Sequence, residues 1–358
     1  MGSEMCIRDS LGLALAAYAI PILIISIPTG RLADRIGRRP LLLFGLTLTG
    51  LGSLLIAYSS SLEFLLAGRV VQGIGSTASW IAALAVVSDL ARPGRKGEAI
   101  GFALAANSGG AIAGPALGGV LGGEISFEAP FILVALIAAG LFATGWAILP
   151  RGAPAAAVAE GDAAPRRGVL SVLLCREAIA PALVAATAAS FLGMIDFAVP
   201  LDLDRRLGTA ATAIGVIFAA AAAMDAIASP IAGRRGDRRG RRPVVIHGAA
   251  IVAVSGLGLA AFGTLAGAAV ALAVFGIGQS VVFAGAVPWL DDSFGELDRG
   301  LAYGGLNLVY ATGYTIGPLA GGWLLEVASA DTVYLLMSVI ATAGAAALAV
   351  SSRRPGTG

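Results

Sequence analysis

Three charged side chains, Arg69, Asp196 and Asp225, lie inside long apolar stretches of the sequence. If these stretches cross a membrane, each charge costs at least about 2.5 kcal/mol and is expected to face the interior of a helix bundle. Arg69 can bind an anionic group or act on a neighbouring acid. The two carboxyl groups can bind and release a proton as their surroundings change. The three residues therefore predict a site for transport or coupling.

A second set of polar residues in the apolar stretches can line a cavity with otherwise apolar walls. These candidates are Gln72, Asn107, Gln279, Asn307 and Tyr310. Aromatic residues near the ends of membrane spans often act as interfacial anchors, and this alternative stays open for Tyr310.

Other kinds of chemistry find no support in the sequence. Cys6 and Cys175 have no metal-ligand spacing, and His247 is the single histidine. Paired carboxylates, a Ser/His/Asp arrangement and a phosphate-binding Gly-Lys-Ser/Thr loop are not found, so we expect no enzyme, metal, cofactor or nucleic-acid partner.

The elements that must position these residues are membrane-spanning helices. The chain is 57% hydrophobic and 13% charged, which is typical of a multi-pass membrane protein. Stretches of about 20 apolar residues predict eleven spans. They lie near 11–29, 41–59, 62–88, 99–121, 129–149, 178–200, 211–232, 244–262, 265–290, 301–325 and 332–350.

The distribution of Lys and Arg predicts the topology. Of the 24 basic residues, most lie in alternate connections and near the C-terminus, and positive charge near span ends is retained on the cytoplasmic side. The basic loops and C-terminus are therefore predicted to be cytoplasmic, in the plasma or inner membrane. The predicted organisation is a five-span half (11–149), a cytoplasmic linker (150–177), a six-span half (178–350) and a cytoplasmic tail (351–358).

An internal repeat relates the two halves. The basic stretch 30–40 recurs at 233–243, and the glycine motifs and Asp89 recur at the same offset of 203 residues. The partner of span 178–200 would precede residue 1, so the repeat predicts a further helix upstream. Residues 1–10 match nothing in the second half and are interpreted as a non-native start.

Two motifs have both a packing and a functional interpretation. Asp34, which lies beside Arg residues, can act as a latch that stabilises the contact between neighbouring helices by about 0.3–1 kcal/mol. Alternatively, the Arg residues only fix topology and the glycines only make a turn. Gly110, Gly114 and Gly118 share one helix face, which predicts close approach of a neighbouring backbone. Pro115 predicts a kink.

Together, these features resemble the major facilitator superfamily over nearly all of residues 11–350. The resemblance implies an all-α integral membrane fold of two six-helix bundles, related by a pseudo-twofold axis along the membrane normal. It implies a gate formed by Gly30, Asp34, Arg35, Gly37, Arg38, Asp89, Asp237 and Arg241. It also implies an antiporter-type helix motif at Gly110, Gly114, Pro115, Gly118 and Gly119.

Stretches 191–200 and 313–318 are similar to those of drug/proton antiporters and their vesicular amine transporter relatives, where Asp196 matches an acidic position. Asn307 replaces an acid of those relatives, so amine substrates are not implied. The resemblance implies a monomeric, alternating-access transporter in the lipid bilayer, exporting small amphipathic compounds in exchange for protons. The alternatives are a sugar or metabolite transporter of the same fold, a transport-inactive fragment and a membrane scaffold.

Overall fold

The computed structural model describes residues 2–150, 176–294 and 298–351, and within these ranges the chain forms eleven α-helices. Almost all of the predicted linker and tail lies outside the described residues. The helices are α1 Gly2–Ile36, α2 Arg38–Ala57, α3 Leu62–Leu90, α4 Lys96–Glu124, α5 Ala129–Ile148, α6 Arg176–Leu207, α7 Ala211–Arg239, α8 Arg241–Ala261, α9 Leu265–Asp292, α10 Arg299–Val327 and α11 Ala330–Ser351.

The predicted all-α membrane fold is confirmed, since each predicted span corresponds to one of these helices. Ten of them are long and apolar enough to cross a membrane. The other, α10, has 29 residues, but its glycine, tyrosine, threonine and asparagine content makes it less apolar. Many large apolar side chains are more than half exposed, as expected of surfaces that face lipid. Examples are Ile24, Leu136, Val216 and Trp323.

The basic stretch 30–40 is helical rather than an extended loop. Helix α1 continues to Ile36, and Gly37 alone separates it from α2. In the second copy, Gly240 alone separates α7 from α8. The φ angles of the two glycines are 95° and 89°, a region that favours glycine because it has no Cβ. The prediction of a loop was wrong because the apolar span marks the hydrocarbon core, whereas the helix continues beyond it through charged residues.

The described helices form two compact units. Restricted to the described residues, the first contains 2–89, 114–150, 294 and 298–311, and the second contains 90–113, 176–293 and 312–351. Helix α4 is therefore divided, because its start up to Ala113 belongs to the second unit. Helix α10 is divided in the opposite sense, since its start up to Ala311 belongs to the first unit.

Each unit is held together by close packing between helices. In the first unit, a methyl group added at Gly75 of α3 would lie 2.5 Å from the amide nitrogen of Thr49 in α2. In the second unit, α6, α7, α8, α9 and α11 supply a large buried cluster. Its fully buried members include Ile195, Leu203, Leu259, Leu272, Tyr334 and Met337. Within lipid, such contacts stabilise helix association through van der Waals packing rather than through removal of water.

Candidate functional site

The first unit contains a charge cluster built around Asp34 at the end of α1. Its carboxylate accepts hydrogen bonds from the backbone N–H groups of Gly300, at 2.8 Å, and Leu301, at 2.9 Å. These groups belong to the first turn of α10, where helical N–H groups have no partner within their own helix. The negative charge of Asp34 also lies at the positive end of the α10 dipole, which is a favourable interaction. Asp34 thus caps α10 from a different helix.

Arg38 joins Asp34 to Asp89, and a second arginine, Arg299, also contacts Asp89. The Nη2 atom of Arg38 lies 3.5 Å from an oxygen of Asp34, and its Nε atom lies 3.2 Å from an oxygen of Asp89. Arg299, the first residue of α10, donates to the other carboxylate oxygen of Asp89. We call Asp34, Arg38, Asp89 and Arg299 the first charge cluster. It joins residues of α1, α2, α3 and α10.

The second unit contains an equivalent cap at the start of α4. The carboxylate of Asp237 in α7 accepts from the N–H groups of Gly97 and Glu98, both at 2.8 Å. Arg241 Nη1 lies 2.7 Å from Asp237. The Nε atom of the same arginine lies 3.2 Å from Asp292.

Lys96 completes this second group. Its Nζ atom lies 3.0 Å from Asp292 and 2.6 Å from Asp291, whose side chain is fully buried. We call Asp237, Arg241, Asp292 and Lys96 the second charge cluster. Each member lies 203 residues from its counterpart in the first charge cluster. Asp291 is an addition of the second half, because its counterpart is Ser88.

Glycines bring the capped helices close to the acids. A methyl group added at Gly30 in α1 would collide with the carbonyl group of Gly300, and one added at Gly233 in α7 would collide with that of Gly97. These pairs also correspond across the repeat. Only glycine permits this backbone approach. It brings the helices that carry Asp34 and Asp237 close enough for the two carboxylates to contact the starts of α10 and α4 directly.

Most of the predicted gate residues meet in the two charge clusters, but Arg35 is exposed and belongs to neither. Sequence reasoning did not single out Lys96 or Arg299. The repeat could have found both, because a cation occupies the first helical residue at both positions. The backbone N–H partners of Asp34 and Asp237 left no signal, because almost every residue type carries this group.

Arg69 lies in α3 of the first unit. Its Nη1 atom donates to Gln72 Oε1 at 3.2 Å, and Gln72 Nε2 donates to Ser53 Oγ at 3.0 Å. Its guanidinium carbon lies 5.9 Å from the centre of the Phe131 ring. Within the described ranges, no carboxylate forms an ion pair with Arg69.

The two acids of the apolar stretches lie in the second unit. Asp225 in α7 accepts a hydrogen bond from the hydroxyl of Ser108 in α4. Asp196 in α6 accepts one from the hydroxyl of Tyr314 in α10 at 2.8 Å. The described part of the chain provides neither carboxylate with a cationic partner, which distinguishes both from the acids of the charge clusters.

The cavity candidates occupy different environments. Gln279 is 5% exposed and donates to the carbonyl group of Ala188 at 2.7 Å, while its Oε1 atom has no partner among the described residues. Asn307 donates to Ser26 Oγ at 2.9 Å. Asn107 is exposed, and Tyr310 is half-buried.

The prediction of close packing along the glycine face of α4 was wrong for this conformation. Methyl groups added at Gly110, Gly114, Gly118 or Gly119 would meet no atom within 4 Å among the described residues. The spacing of small residues permits a close neighbour but does not supply one. The predicted kink at Pro115 stays a prediction.

Comparison with known proteins identifies the family that this chain resembles. The family model described as Major Facilitator Superfamily matches residues 7–195 and again residues 181–358. The two matches overlap and together cover nearly the whole chain.

Named relatives include tetracycline resistance proteins. The class D protein of Salmonella ordonez is 30% identical over 249 residues, which cover 68% of this chain and 62% of the relative. The class B protein of Escherichia coli is 38% identical over 131 residues, which cover 37% of this chain and 32% of the relative. The chain therefore matches less than two thirds of the length of either relative.

A solved structure shares the fold. The human organic anion transporter MFSD10 superposes with a TM-score of 0.80 over 94% of this chain and 83% of its own. The two sequences are 20% identical, so the likeness concerns the fold alone.

Proposed function

Because this chain belongs to the Major Facilitator Superfamily, whose members are membrane transporters, we propose that it exports small amphipathic compounds in exchange for protons by alternating access. The names of the tetracycline resistance relatives support drug efflux over import of sugars or metabolites. The proposal includes a monomer in the plasma or inner membrane with the basic helix ends and the C-terminus in the cytoplasm. It also includes halves at 11–149 and 178–350, joined by a cytoplasmic linker.

The observation that carries the proposal is the set of contacts made by the Asp225 side chain. Its carboxylate is held by the hydroxyl of Ser108 and has no ion-pair partner among the described residues. A proton can therefore bind without breaking a salt bridge, and protonation changes the hydrogen bond between α7 and α4. Asp196, held by the Tyr314 hydroxyl, offers a second such group. Proton binding at either acid would thus be linked to helix packing.

The charge clusters supply an element that can switch between two states. Each combines helix capping with ion pairs, so movement of the capped helix start breaks several contacts at once. In the proposed cycle, one or both clusters break when access changes sides. A network of partly buried charges suits this role because its members are costly to separate individually.

A second candidate substrate class is organic anions, favoured by Arg69. Its guanidinium contacts a neutral amide and an aromatic ring, and the described residues leave it without a carboxylate partner. A substrate carboxylate or enolate would supply the missing charge. MFSD10 is described as an organic anion transporter, but its likeness concerns the fold alone, so Arg69 carries this candidate class.

Proton coupling is tested with purified protein in proteoliposomes under an imposed pH gradient, with tetracycline and the cationic dye ethidium as substrates. We expect Asp225→Asn to lower gradient-driven flux at least tenfold while exchange of labelled for unlabelled substrate continues without a gradient. Asp204→Asn is the matched control, because Asp204 is exposed at the end of α6. Gradient-independent flux in the wild type, or full gradient-driven flux in Asp225→Asn, contradicts the proposal.

The organic-anion alternative has its own test. Fluorescein is added as the anionic substrate, and Arg69→Gln is compared with Arg31→Gln, which changes an exposed arginine of α1. Loss of fluorescein flux in Arg69→Gln alone favours organic anions. Absence of flux for all three substrates favours a scaffold.

A further inference from the structure

A cavity of about 620 Å³ lies among α7, α8 and α9 of the second unit. Its walls are mostly apolar, with contributions from Ile227, Ile231, Ile251, Ile277 and Val281. At the end where Gly240 joins α7 to α8, it is lined instead by Arg235, Arg239 and His247. The cavity therefore passes from apolar to basic along the helices.

Regular spacing on the two helices produces this gradient. Ile227, Ile231, Arg235 and Arg239 follow one another every four residues on α7, and Pro243, His247 and Ile251 do so on α8. Residues four apart share one face of a helix. Ile227 and Ile231 are 59% and 51% exposed, so the apolar part opens at the surface of the unit.

The basic residues at the end of the cavity have hydrogen-bonding capacity to spare. Within the described ranges, neither Arg235 nor Arg239 makes an ion pair, and both side chains are exposed. His247 Nδ1 lies 2.5 Å from the carbonyl oxygen of Pro243. A carbonyl oxygen only accepts, so Nδ1 donates, and Nε2 donates to a phosphate in the imidazolium form, in which both ring nitrogens carry a proton. The neighbouring Arg241 is, by contrast, held by Asp237 and Asp292.

The repeat indicates that folding does not require these basic groups. The counterparts of Arg235, Arg239 and His247 in the first half are Leu32, Ile36 and Phe44, which are 40%, 42% and 52% exposed. The same helix hairpin therefore tolerates apolar residues at all three positions. In the second half, two cations and an imidazole occupy these positions beside an apolar cavity.

We propose that this cavity binds an anionic phospholipid, with the phosphate held by Arg235, Arg239 and His247 and an acyl chain lying along Ile227, Ile231 and Ile251. The basic end lies at the helix termini, where lipid headgroups meet a multi-pass protein, and basic pockets between membrane helices suit anionic headgroups. The isoleucine walls complement an acyl chain and offer nothing to a small free anion. None of Arg69, Asp196 and Asp225 lines this cavity.

Native mass spectrometry of the full chain in detergent tests the proposal, with phosphatidylglycerol and phosphatidylcholine supplied in equal amounts. We expect the wild type to retain phosphatidylglycerol preferentially. The variants Arg235→Gln/Arg239→Gln and Arg235→Leu/Arg239→Ile should each retain it about tenfold less. The second variant introduces the residues found in the first half, so folding is expected to be preserved; thermal unfolding checks this.

The matched control is Arg234→Gln/Arg238→Gln, which removes the same charge from the same helix outside the cavity. It should change phosphatidylglycerol retention less than twofold. A photoreactive group on the acyl chain of phosphatidylglycerol should label peptides of α7 and α8 in the wild-type protein, independently of any variant.

Three results overturn the proposal: equal retention of the two lipids by the wild type, an equal loss in the control pair, or labelling elsewhere in the chain. Because the measurement requires no transport, its outcome is independent of the proposed function.

Discussion

Asp34 and Asp237 lie 203 residues apart in the chain and make the same contacts. Each carboxylate accepts the backbone N–H groups of the second and third residues of a helix, α10 for Asp34 and α4 for Asp237. Each capped helix also starts with a cation that pairs with an acid: Arg299 of α10 pairs with Asp89, and Lys96 of α4 pairs with Asp292. The repeat therefore preserves a set of interactions, and single substitutions can remove its contacts one at a time.

The caps should act locally. Asp237→Asn removes the charge that faces the start of α4, while an amide oxygen can still accept one hydrogen bond. We expect lower stability, because the cap and the ion pair with Arg241 are both weakened, and faster hydrogen exchange in the peptide containing Gly97 and Glu98. Exchange mass spectrometry should show the effect of Asp34→Asn at Gly300 and Leu301 instead.

Asp204→Asn, an exposed change in α6, serves as the control and should alter neither peptide. Equal acceleration of both helix starts in each variant would mean that the caps are not independent, and the prediction would fail.

Lys96 should be costly to remove because it faces a fully buried carboxylate. Lys96→Gln leaves Asp291 without the charge at 2.6 Å, and breaking a buried pair from one side typically costs about 3–5 kcal/mol. Serine is the counterpart of Asp291 in the first half, so Asp291→Ser removes the carboxylate with a residue that the repeat already uses.

Thermal unfolding in detergent provides the measurement. We expect Lys96→Gln/Asp291→Ser to be more stable than Lys96→Gln alone, and Lys96→Arg, which copies Arg299, to resemble the wild type. A double variant no more stable than Lys96→Gln would contradict the coupling.

Gly97 and Gly123 should respond in opposite directions to alanine, although both lie in α4. A methyl group at Gly97 would lie 2.6 Å from the carbonyl oxygen of Gly233, whereas at Gly123 it would meet nothing within 4 Å among the described residues. Helix propensity alone favours alanine by about 1 kcal/mol. Thermal unfolding should show Gly123→Ala unchanged or stabilised and Gly97→Ala clearly destabilised. Equal effects would show that the backbone approach is not tight.

Tyr334 should stabilise the opposite end of the second unit. Its hydroxyl donates to the buried carboxylate of Asp202 at 3.1 Å, and Arg206 donates to Asp202 at 2.6 Å. Tyr334→Phe removes one donor from this carboxylate and should cost about 1–2 kcal/mol. Tyr58→Phe, at a residue that is 72% exposed, should leave the unfolding temperature unchanged. A stability loss in both variants would assign the effect to the hydroxyl in general rather than to Asp202.

The sequence was sufficient to predict the helices and the correspondence between Asp34 and Asp237. The length of an apolar stretch and the offset of a repeat can be read from the residues alone, so they require no knowledge of how the helices pack. The pattern could not show what Asp34 binds, because its partners are backbone groups 266 and 267 residues away. An N–H group has no side-chain signature.

The glycines of α4 illustrate the opposite limit. Gly97 and Gly110 are the same residue in one helix, yet a backbone lies against the first, whereas no atom of the described residues lies within 4 Å of a methyl group added at the second. Spacing identifies a face where approach is permitted, whereas contact depends on where a neighbouring helix lies. The length of α1 was underestimated for a related reason, since charged residues continue a helix beyond the apolar stretch that reveals it.

The division of α4 and α10 between the two units has a consequence for biosynthesis. The first unit includes residues 298–311, so it is incomplete when the ribosome has finished residue 175. Until residues 300 and 301 are made, the carboxylate of Asp34 lacks both of its N–H partners. The start of α4, made early, must likewise wait for Asp237. Domains usually fold in the order of their synthesis; here the first unit acquires its final segment only after most of the second has been translated.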